Sequence, residues 1–466
     1  MNRLTASDFD KWLKCPNWIY WDIFGNPADK GEVPKLIEKL REGGLLHEKK
    51  VVESLGPLTE VEDLGSAEAN AARTLELMKT GVVIYQGTLI DDDWIGRPDL
   101  LVPIEGESKL GHWVYEPVDI KAAYEIRDAH KLQLVFYAHL LEKIQGVKPE
   151  RGRIINAAGR TLEFAIAEAE PEFFEALAAI LKICAGEKPD AFFTSACKDS
   201  PWFAACKAEA EKSDDPSLLY KLYKNEWKRL HRAGYVTVAQ IAAASPDELH
   251  AKVIGVPDHR LDKLRLQAKS LVSKKVIRIE KADLPIAQTE IFFDVEGDPL
   301  LGLEYLFGFL VRKHGTVRYE KFLAERPEDE GQAWLAMCDF IERYAGTPIY
   351  HYGFYELEVV RRLSAKYGIS KLAADALDPA GMIDLVRVVQ RTTIFPLRFY
   401  SLKDIAKFLG FSWRATDASG ANSVLWFQNW LETGDRAILN KIVDYNEDDV
   451  RATLFLKDWL TDGSKI

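Results

Sequence analysis

Two carboxylates and one ammonium group lie close together in the first third of the chain. Asp99 stands at the start of an apolar stretch, 100–102, and Asp119 and Lys121 are two residues apart at the end of another. Because alternate residues of a strand point to the same side, Asp119 and Lys121 would share a face. Such carboxylates hold Mg²⁺ or Mn²⁺. The lysine ammonium can orient a water molecule and stabilise developing negative charge. The spacing predicts a site for phosphodiester hydrolysis; the alternative is that both aspartates are surface residues at strand ends.

A second set of acidic residues interrupts an apolar stretch that begins at residue 290. Asp294 and Glu296 are two residues apart, so a strand would bury them on one side, and buried paired carboxylates need a cation. Much later in the chain, Tyr445 and Asp449 are four residues apart and share one face of a predicted helix. Two metal ions held by such carboxylates would stabilise the attacking and leaving oxygens of a phosphodiester. The set predicts a second hydrolytic site; the alternative is a scaffold whose carboxylates are structural or decayed.

The surroundings of the first set follow a known order. A histidine, His47, precedes it, and Gln133 and Tyr137 follow it, one turn apart on a predicted helix. Over roughly the first 200 residues this order resembles the RecB-type clade of PD-(D/E)XK nucleases, which have a restriction-endonuclease-like fold. The resemblance implies metal binding by three residues, water activation by a lysine, and substrate-backbone contacts by two more: His47, Asp99 and Asp119; Lys121; Gln133 and Tyr137.

The second set resembles the DEDDy family of 3′-5′ exonucleases, which have an RNase H-like fold, over roughly residues 287–460. The YprB-like branch is the most similar. The resemblance implies that Asp294, Glu296 and Asp449 bind two metal ions and that Tyr445 aligns the water. The family's fourth carboxylate is an aspartate after an aromatic residue, and Glu356 takes that place here. Asp384 is the competing candidate, although a helix cap or a local pair is the simpler role for it.

Three of the five cysteines follow a third pattern of the RecB-like clade. That clade often carries a [4Fe-4S] cluster, with one cysteine near the N-terminus and three after the nuclease fold in C-x₂-C-x₅-C. Cys15, Cys197 and Cys206 keep the outer positions, and Ser200 replaces the middle cysteine. A neutral hydroxyl is a poor iron ligand. We therefore expect the cluster to be lost and the three cysteines to remain as packed thiols; the alternative is a cluster with one weak ligand.

The middle of the chain is basic although the whole is acidic. The net charge is −11, yet residues 218–281 carry 14 Lys and Arg against 6 Asp and Glu. Helical periodicity at 218–230, 238–243 and 261–271 predicts a small helical module. Its segment around Gly255, Arg260 and Lys263 resembles a helix-hairpin-helix element, in which backbone N–H groups meet a nucleic-acid phosphate. The alternative is a solvated basic helix pair that bridges two domains.

These features predict a multidomain α/β protein. We expect a PD-(D/E)XK domain at 1–212, a small helix-hairpin-helix-like bridge at 213–284 and an RNase H-like domain at 285–466, with a turn cluster at 213–216 as the first boundary. The composition is that of a folded protein, and the apolar stretches are too short to cross a membrane. Neither signal-peptide features nor a regular cysteine framework appears, which predicts a cytoplasmic protein.

The combined reading is a metal-dependent nuclease that acts on DNA or RNA with Mg²⁺ or Mn²⁺. The arrangement resembles RecB-like nucleases fused to a YprB-like domain. No nucleotide-binding glycine motif occurs in the chain, so ATP has no predicted site and any helicase partner would be a separate chain. Two alternatives remain open: a non-catalytic nucleic-acid-binding adaptor built on decayed nuclease folds, and an RNA-processing exonuclease with one live site.

Overall fold

The chain forms two compact units. The structure, a computed structural model, describes residues 3–33, 35–190, 192–299, 301–417 and 419–462. The units are Met1–Lys212 and Ser213–Ile466. The helical segment 213–284 belongs to the second unit, together with the residues that follow it. Among the described helices, none combines the length and the apolar character that a membrane crossing requires.

The first unit mixes helices and short strands. Its strands are β1 (Leu4–Thr5), β2 (Thr59–Glu60), β3 (Ile84–Tyr85), β4 (Leu89–Asp91), β5 (Trp94–Gly96), β6 (Leu100–Ser108), β7 (Gly111–Ile120), β8 (Arg151–Ile155) and β9 (Thr161–Ala165). Its helices are α1 (Ala6–Lys14), α2 (Pro16–Phe24), α3 (Lys35–Ser54), α4 (Ala67–Met78), α5 (Asp128–Gln145), α6 (Ile166–Cys184) and α7 (Phe203–Lys212).

The main sheet of this unit has the order β2-β3-β6-β7-β8-β9. β6 and β7 are antiparallel, and Leu100 lies opposite Val118. β7 pairs with β8 in parallel, so the sheet is mixed. Helix α5 packs on β7, and its buried side chains, such as Leu134 and Phe136, form the core with Tyr115 of β7. This register brings the residue before β6 next to the end of β7, where the first set of site residues stands.

The second unit begins with helices and continues into a sheet. Its helices are α8 (Lys224–Arg232), α9 (Val238–Ala243), α10 (Pro246–Lys252), α11 (Asp258–Ser273), α12 (Glu330–Glu342), α13 (Tyr355–Tyr367), α14 (Lys371–Ala376), α15 (Leu385–Thr392), α16 (Leu402–Phe408), α17 (Gly420–Thr433) and α18 (Arg436–Thr461). Its strands are β10 (Ile277–Arg278), β11 (Thr289–Asp298), β12 (Leu303–Lys313), β13 (Thr316–Leu323), β14 (Ile349–His351), β15 (Met382–Asp384) and β16 (Thr393–Ile394).

Strand β11 occupies the centre of the five-stranded sheet, whose order is β13-β12-β11-β14-β15. Its antiparallel neighbour is β12 and its parallel neighbour is β14. Helices cover both faces, which explains the nearly continuous apolar sequence of the strand. Ile291, Phe293 and Val295 enter one core cluster, and Phe292 enters another. Helix α18 packs against β11 and β12.

The helix predicted over 218–230 is shorter than expected. A 3₁₀ turn, Pro216–Leu218, comes first, and helix α8 starts only at Lys224. Between them, Lys221 adopts a left-handed backbone conformation with φ of 53°, which an α-helix does not allow. The segment packs on the rest of its unit through Tyr220, whose ring stacks on that of Tyr400 at 3.9 Å between centroids.

Candidate functional site

Three carboxylates of the second unit converge at one point. Asp294 and Glu296 lie on β11, and Asp449 lies on α18, which crosses that strand. One carboxylate oxygen from each lies within 4.8 Å of the others, and no other group of three or more possible metal-ligating side chains among the described residues is as close. Hard oxygen ligands at this spacing suit a divalent cation such as Mg²⁺ or Mn²⁺.

Neighbouring polar groups hold these carboxylates in place. The Asn446 amide donates to Asp294 Oδ2 at 2.7 Å, and the Trp413 indole N–H donates to Asp449 Oδ1 at 2.6 Å. The side chains of Asn446 and Ser423 also hydrogen-bond Glu296. Each contact comes from an element other than β11, so the site depends on how α17 and α18 pack over the sheet.

The electrostatics of the cluster favour a bound cation. Burial, followed by the charges of the neighbouring carboxylates, raises the pKa of Asp294 well above its usual range. The same causes raise the pKa of Glu296 to about 8, and burial raises the pKa of Asp449 to about 6. The three groups therefore resist ionising together in the metal-free protein. A divalent cation would offset this repulsion, so the residues present fit a metal site.

Tyr445 lies at the edge of the cluster, one turn before Asp449 on α18. Its side chain hydrogen-bonds Asp449, and its hydroxyl oxygen accepts a hydrogen bond from Lys403 Nζ at 2.9 Å. Burial and the charges of Glu296 and Asp449 raise the pKa of Tyr445, so the phenol keeps its proton. Lys403 and Asn446 were not among the residues selected from the sequence.

Glu356 is buried near this cluster with a histidine as its closest ion-pairing group. It lies on α13, and its Oε2 is 3.4 Å from Nδ1 of His351, at the end of β14. Burial raises the pKa of Glu356, and the charge of Glu356 adds to the raised pKa of Asp294. Asp384 has a different role, because its carboxylate accepts hydrogen bonds from the backbone N–H groups of Val386 and Gly353 and caps α15.

The first unit brings Asp99, Asp119 and Lys121 together. Lys121 Nζ is 3.0 Å from Asp119 Oδ2 and 3.9 Å from Asp99 Oδ2. The backbone N–H of Ile120 donates to Asp99 Oδ2 at 2.6 Å, which ties the residue before β6 to the end of β7. Tyr137 reaches the same region from α5, where its hydroxyl donates to the Arg97 carbonyl at 3.3 Å. Gln133 is half-buried one turn earlier on that helix.

Glu48 joins this group, although its neighbour His47 was selected from the sequence. The charge of Glu48 acts on both Asp99 and Lys121, and its carboxylate accepts hydrogen bonds from Gln86 Nε2 at 2.6 Å and from the Tyr85 hydroxyl at 3.0 Å. In the part of the chain that the structure describes, neither His47 nor Glu48 forms a close ligand group with the two aspartates, so His47 stays a predicted ligand. Nothing in the sequence distinguished Glu48 from the other charged residues of this helix.

The first site is also short of positive charge. Burial and the charge of Asp119 raise the pKa of Asp99 to about 8. Burial alone would lower the pKa of Lys121, but Asp119 and Asp99 outweigh it and raise that pKa. Burial and the Lys121 charge lower the pKa of His130 to about 4, so this imidazole stays neutral near the site. One lysine does not balance three carboxylates, and a divalent cation would relieve the excess.

Three thiols of the first unit meet, one from near its start and two from near its end. Cys15 contacts both Cys197 and Cys206, and all three side chains are buried. The Cys197 contact alone would lower the pKa of Cys15, but the Cys206 thiol and burial raise it to about 12. Ser200 Oγ accepts a hydrogen bond from the Trp202 backbone N–H at 3.1 Å. Three thiols and a hydroxyl engaged locally do not fit a cluster that needs four thiolates.

The basic segment uses its selected cations inside the unit. Arg260 pairs with Glu226, and Lys263 Nζ donates to the Gln390 carbonyl at 2.8 Å. Gly255 has φ of 81°, and a Cβ there would overlap the guanidinium of Arg229. These contacts give each residue type a structural role, and substrate binding by Gly255, Arg260 and Lys263 stays a prediction.

One comparison with known proteins identifies part of the chain. The family model of the RNase_H superfamily matches residues 291–461, which include β11 and α18 and therefore the three converging carboxylates. No curated protein matches the sequence significantly. The second unit thus contains an RNase H-like domain. Domains of this superfamily are typically nucleases that use divalent metal ions.

Proposed function

We propose that the chain is a metal-dependent nuclease with a 3′-5′ exonuclease site of the DEDDy type in its second unit and a RecB-like PD-(D/E)XK site in its first. The observation that carries the proposal is the convergence of Asp294, Glu296 and Asp449 within the RNase H-like domain. Tyr445, one turn before the last of these carboxylates, supports the DEDDy type, of which the YprB-like branch is the one that the sequence resembles most.

The chain's own residues would prepare the second site for hydrolysis. Asp294, Glu296 and Asp449 would hold Mg²⁺ or Mn²⁺, which supplies a nucleophilic water at neutral pH and stabilises charge on the phosphate oxygens. Asn446 and Trp413 fix the carboxylates, and Tyr445, which keeps its proton, offers a hydroxyl to align the water. Attack of the water on the last phosphodiester would break its P–O3′ bond, and the 3′ oxygen of the penultimate nucleotide would leave with a proton from solvent as one nucleotide is released.

The first site has the residues for the same hydrolysis by another route. Asp99 and Asp119 would bind a divalent cation with His47, and we add Glu48 as a further candidate ligand because its charge acts on Asp99. Lys121, held by Asp119, would orient the attacking water, and Tyr137 and Gln133 would contact the substrate backbone. The support for this site is geometric: two acidic side chains, one lysine and one buried tyrosine meet at the end of β7.

A direct assay tests the proposal. Purified full-length protein is given Mg²⁺ or Mn²⁺ and 5′-labelled single- and double-stranded DNA and RNA. We expect products that shorten one nucleotide at a time from the 3′ end, and we expect Asp294→Asn and Asp449→Asn each to slow this trimming by at least about a hundredfold. The matched control is Asp444→Asn on the same helix, whose carboxylate pairs with Arg414 at the surface.

The outcomes separate the alternatives. Metal-dependent trimming that the control keeps and the two variants lose supports the exonuclease site. Binding of a nucleic acid without cleavage, under every metal condition, would favour the non-catalytic adaptor instead. If cleavage is restricted to RNA and the single change Asp294→Asn abolishes all of it, the result would favour an RNA-processing exonuclease with one live site. A helicase partner and a cytoplasmic location remain predictions that this assay does not address.

A further inference from the structure

Lys403 lies at the edge of the acidic cluster formed by Asp294, Glu296 and Asp449. Its Nζ donates to the hydroxyl oxygen of Tyr445 at 2.9 Å and lies 4.3 Å from the centre of the Tyr445 ring. Its charge acts on all three carboxylates of the cluster. A lysine whose charge acts on three converging acids needs an explanation beyond the surface role that most lysines have.

The position of Lys403 is fixed by contacts on both sides. It is the second residue of α16, whose start is capped by Ser401, because the Ser401 hydroxyl accepts from the Asp404 backbone N–H at 3.1 Å. Immediately before the cap, the Tyr400 carbonyl accepts a hydrogen bond from the Tyr352 hydroxyl at 2.6 Å. One turn later, Ala406 packs in the same apolar cluster as Tyr445. The helix therefore presents Lys403 to Tyr445 from a rigid base.

Two contacts define the direction of the Tyr445 hydroxyl. A phenol has one proton to donate and an oxygen that accepts hydrogen bonds. The side chain of Asp449 is one partner, and Lys403, which can only donate, is the other. Because the ammonium of Lys403 donates to the phenol oxygen, the phenol's own proton points toward the carboxylate of Asp449. Without it the hydroxyl could rotate about its bond to the ring, and its alignment with a water would be lost.

We propose that Lys403 is a positioning residue of the exonuclease site, which holds the Tyr445 hydroxyl in the orientation that aligns the attacking water. The inference rests on the proposed function of the second unit and extends it to a residue that lies outside the converging carboxylates. It predicts that Lys403 acts through Tyr445, so that removing both groups costs no more than removing the more important one.

The test compares single and double variants in full-length protein that carries Lys121→Ala, so that only the second site is measured. The variants are Lys403→Met, Lys403→Arg, Tyr445→Phe and the Lys403→Met/Tyr445→Phe pair. Each is assayed for kcat and KM on the 5′-labelled strand that the parent trims, and for Mn²⁺ affinity by calorimetry. The matched control is Lys407→Met, one turn along the same helix and exposed.

We expect Lys403→Met to lower kcat by about 10- to 100-fold with KM within about threefold, as for the loss of one positioned group. The double variant should be no slower than the slower single variant. Lys403→Arg should recover part of kcat, because it keeps the charge and the donors. Mn²⁺ affinity should be unchanged or tighter in Lys403→Met, because a repelling cation has been removed. Lys407→Met should match the parent.

Several results would overturn the inference while leaving the nuclease intact. The first is an unchanged kcat in Lys403→Met or in Tyr445→Phe. The second is a double variant in which the two losses of kcat multiply. The third is weaker Mn²⁺ binding in Lys403→Met, which would mean that the lysine supports the metal site structurally. A parent protein that trims no strand would overturn the proposed function, and this inference with it.

Discussion

The amide of Asn446 and the carboxylate of Asp294 meet at 2.7 Å, although 152 residues of chain separate them. The carbonyl oxygen of the same amide accepts a hydrogen bond from the Tyr319 hydroxyl at 2.8 Å. Asn446 is thus held by β13 on one side while it holds a candidate metal ligand on the other. It lies over Gly308 of β12, the residue directly opposite Asp294 in the sheet.

Gly308→Ala should displace Asn446 and weaken the second site. A Cβ at this position would overlap the amide oxygen of Asn446 and would lie 3.0 Å from the Tyr319 hydroxyl, which bonds that amide. We expect a loss of about 1–3 kcal/mol in the free energy of unfolding and slower 3′ trimming. Thermal melting and the trimming assay measure the two effects. Gly420→Ala is the control, because Gly420 starts α17 with open space around it; equal behaviour of both variants would contradict the prediction.

The metal-free protein should lose stability as the pH rises. The raised pKa values of Glu296, about 8, and Asp449, about 6, mean that the folded state keeps protons that the unfolded chain has released above about pH 4. The free energy of unfolding in EDTA should therefore fall between about pH 5 and pH 8. Added Mn²⁺ should raise the melting temperature more at about pH 8 than at about pH 6.

Calorimetry at several pH values checks this metal and pH dependence. Asp99 in the first unit has a pKa of about 8 and adds to the same trend. To isolate the contribution of the second site, the same measurements are made on Asp294→Asn and compared with the unchanged protein. This variant removes one of the mutually repelling charges and should flatten the pH dependence of stability. If the melting temperature in EDTA rises with pH instead, the pKa values of these carboxyl groups are not raised in the folded protein.

Lys121→Ala should abolish the activity of the first site without unfolding it. The change removes the cation beside Asp119 and Asp99 but no core volume. In protein whose second site is silenced by Asp294→Asn, we expect cleavage to fall by about 10²- to 10⁴-fold. The control is Lys131→Ala, a lysine of α5 whose partner Asp128 is exposed. Unchanged cleavage in Lys121→Ala would refute the RecB-like assignment.

The same background decides between Glu48 and His47. The charge of Glu48 acts on Asp99, and His47 is the ligand that the family resemblance implies. We expect Glu48→Gln to reduce cleavage more than His47→Ala, with a matching loss of Mn²⁺ affinity. The opposite ranking would restore the histidine that the family resemblance implies.

Glu356→Gln and Asp384→Asn should differ in their effect on trimming. Glu356 is buried and its charge reaches Asp294, so its loss should slow trimming by about tenfold or more. Asp384 caps α15, and its loss should lower stability by about 1 kcal/mol with trimming retained. The two assays are trimming rate and thermal melting. A dead Asp384→Asn beside an active Glu356→Gln would show that the fourth ligand had been misassigned.

The protein should purify colourless, because only three thiols meet at Cys15. Ser200, in the place of a fourth cysteine, accepts a hydrogen bond from the Trp202 backbone. Anaerobic purification followed by iron and sulfide analysis measures the outcome. Near-stoichiometric iron with broad visible absorbance would contradict the prediction, and Ser200→Cys should then deepen the colour. If iron is absent, Ser200→Cys tests whether a fourth thiolate is all that is missing.

Local spacing predicted those parts of the sites that lie on one element or on adjacent strands. Asp294 and Glu296 were recognisable because a strand repeats every two residues, and Tyr445 and Asp449 because helix residues four apart share a face. The same regularity predicted α9 at its observed bounds, Val238–Ala243. It failed at 218–230, where a left-handed Lys221 breaks the helix, because single-residue backbone conformation leaves little trace in a periodic pattern.

The sequence by itself therefore determined which residue types could bind metal and on which strand or helix each would lie. Only the tertiary structure decided which of them meet and what orients them. Lys403 and Asn446 reach the second site from α16 and α18, and Glu48 acts on Asp99 from α3. The physical reason is that these contacts depend on the packing of elements far apart in the chain, and on which way a helix turns within that packing, neither of which local periodicity encodes.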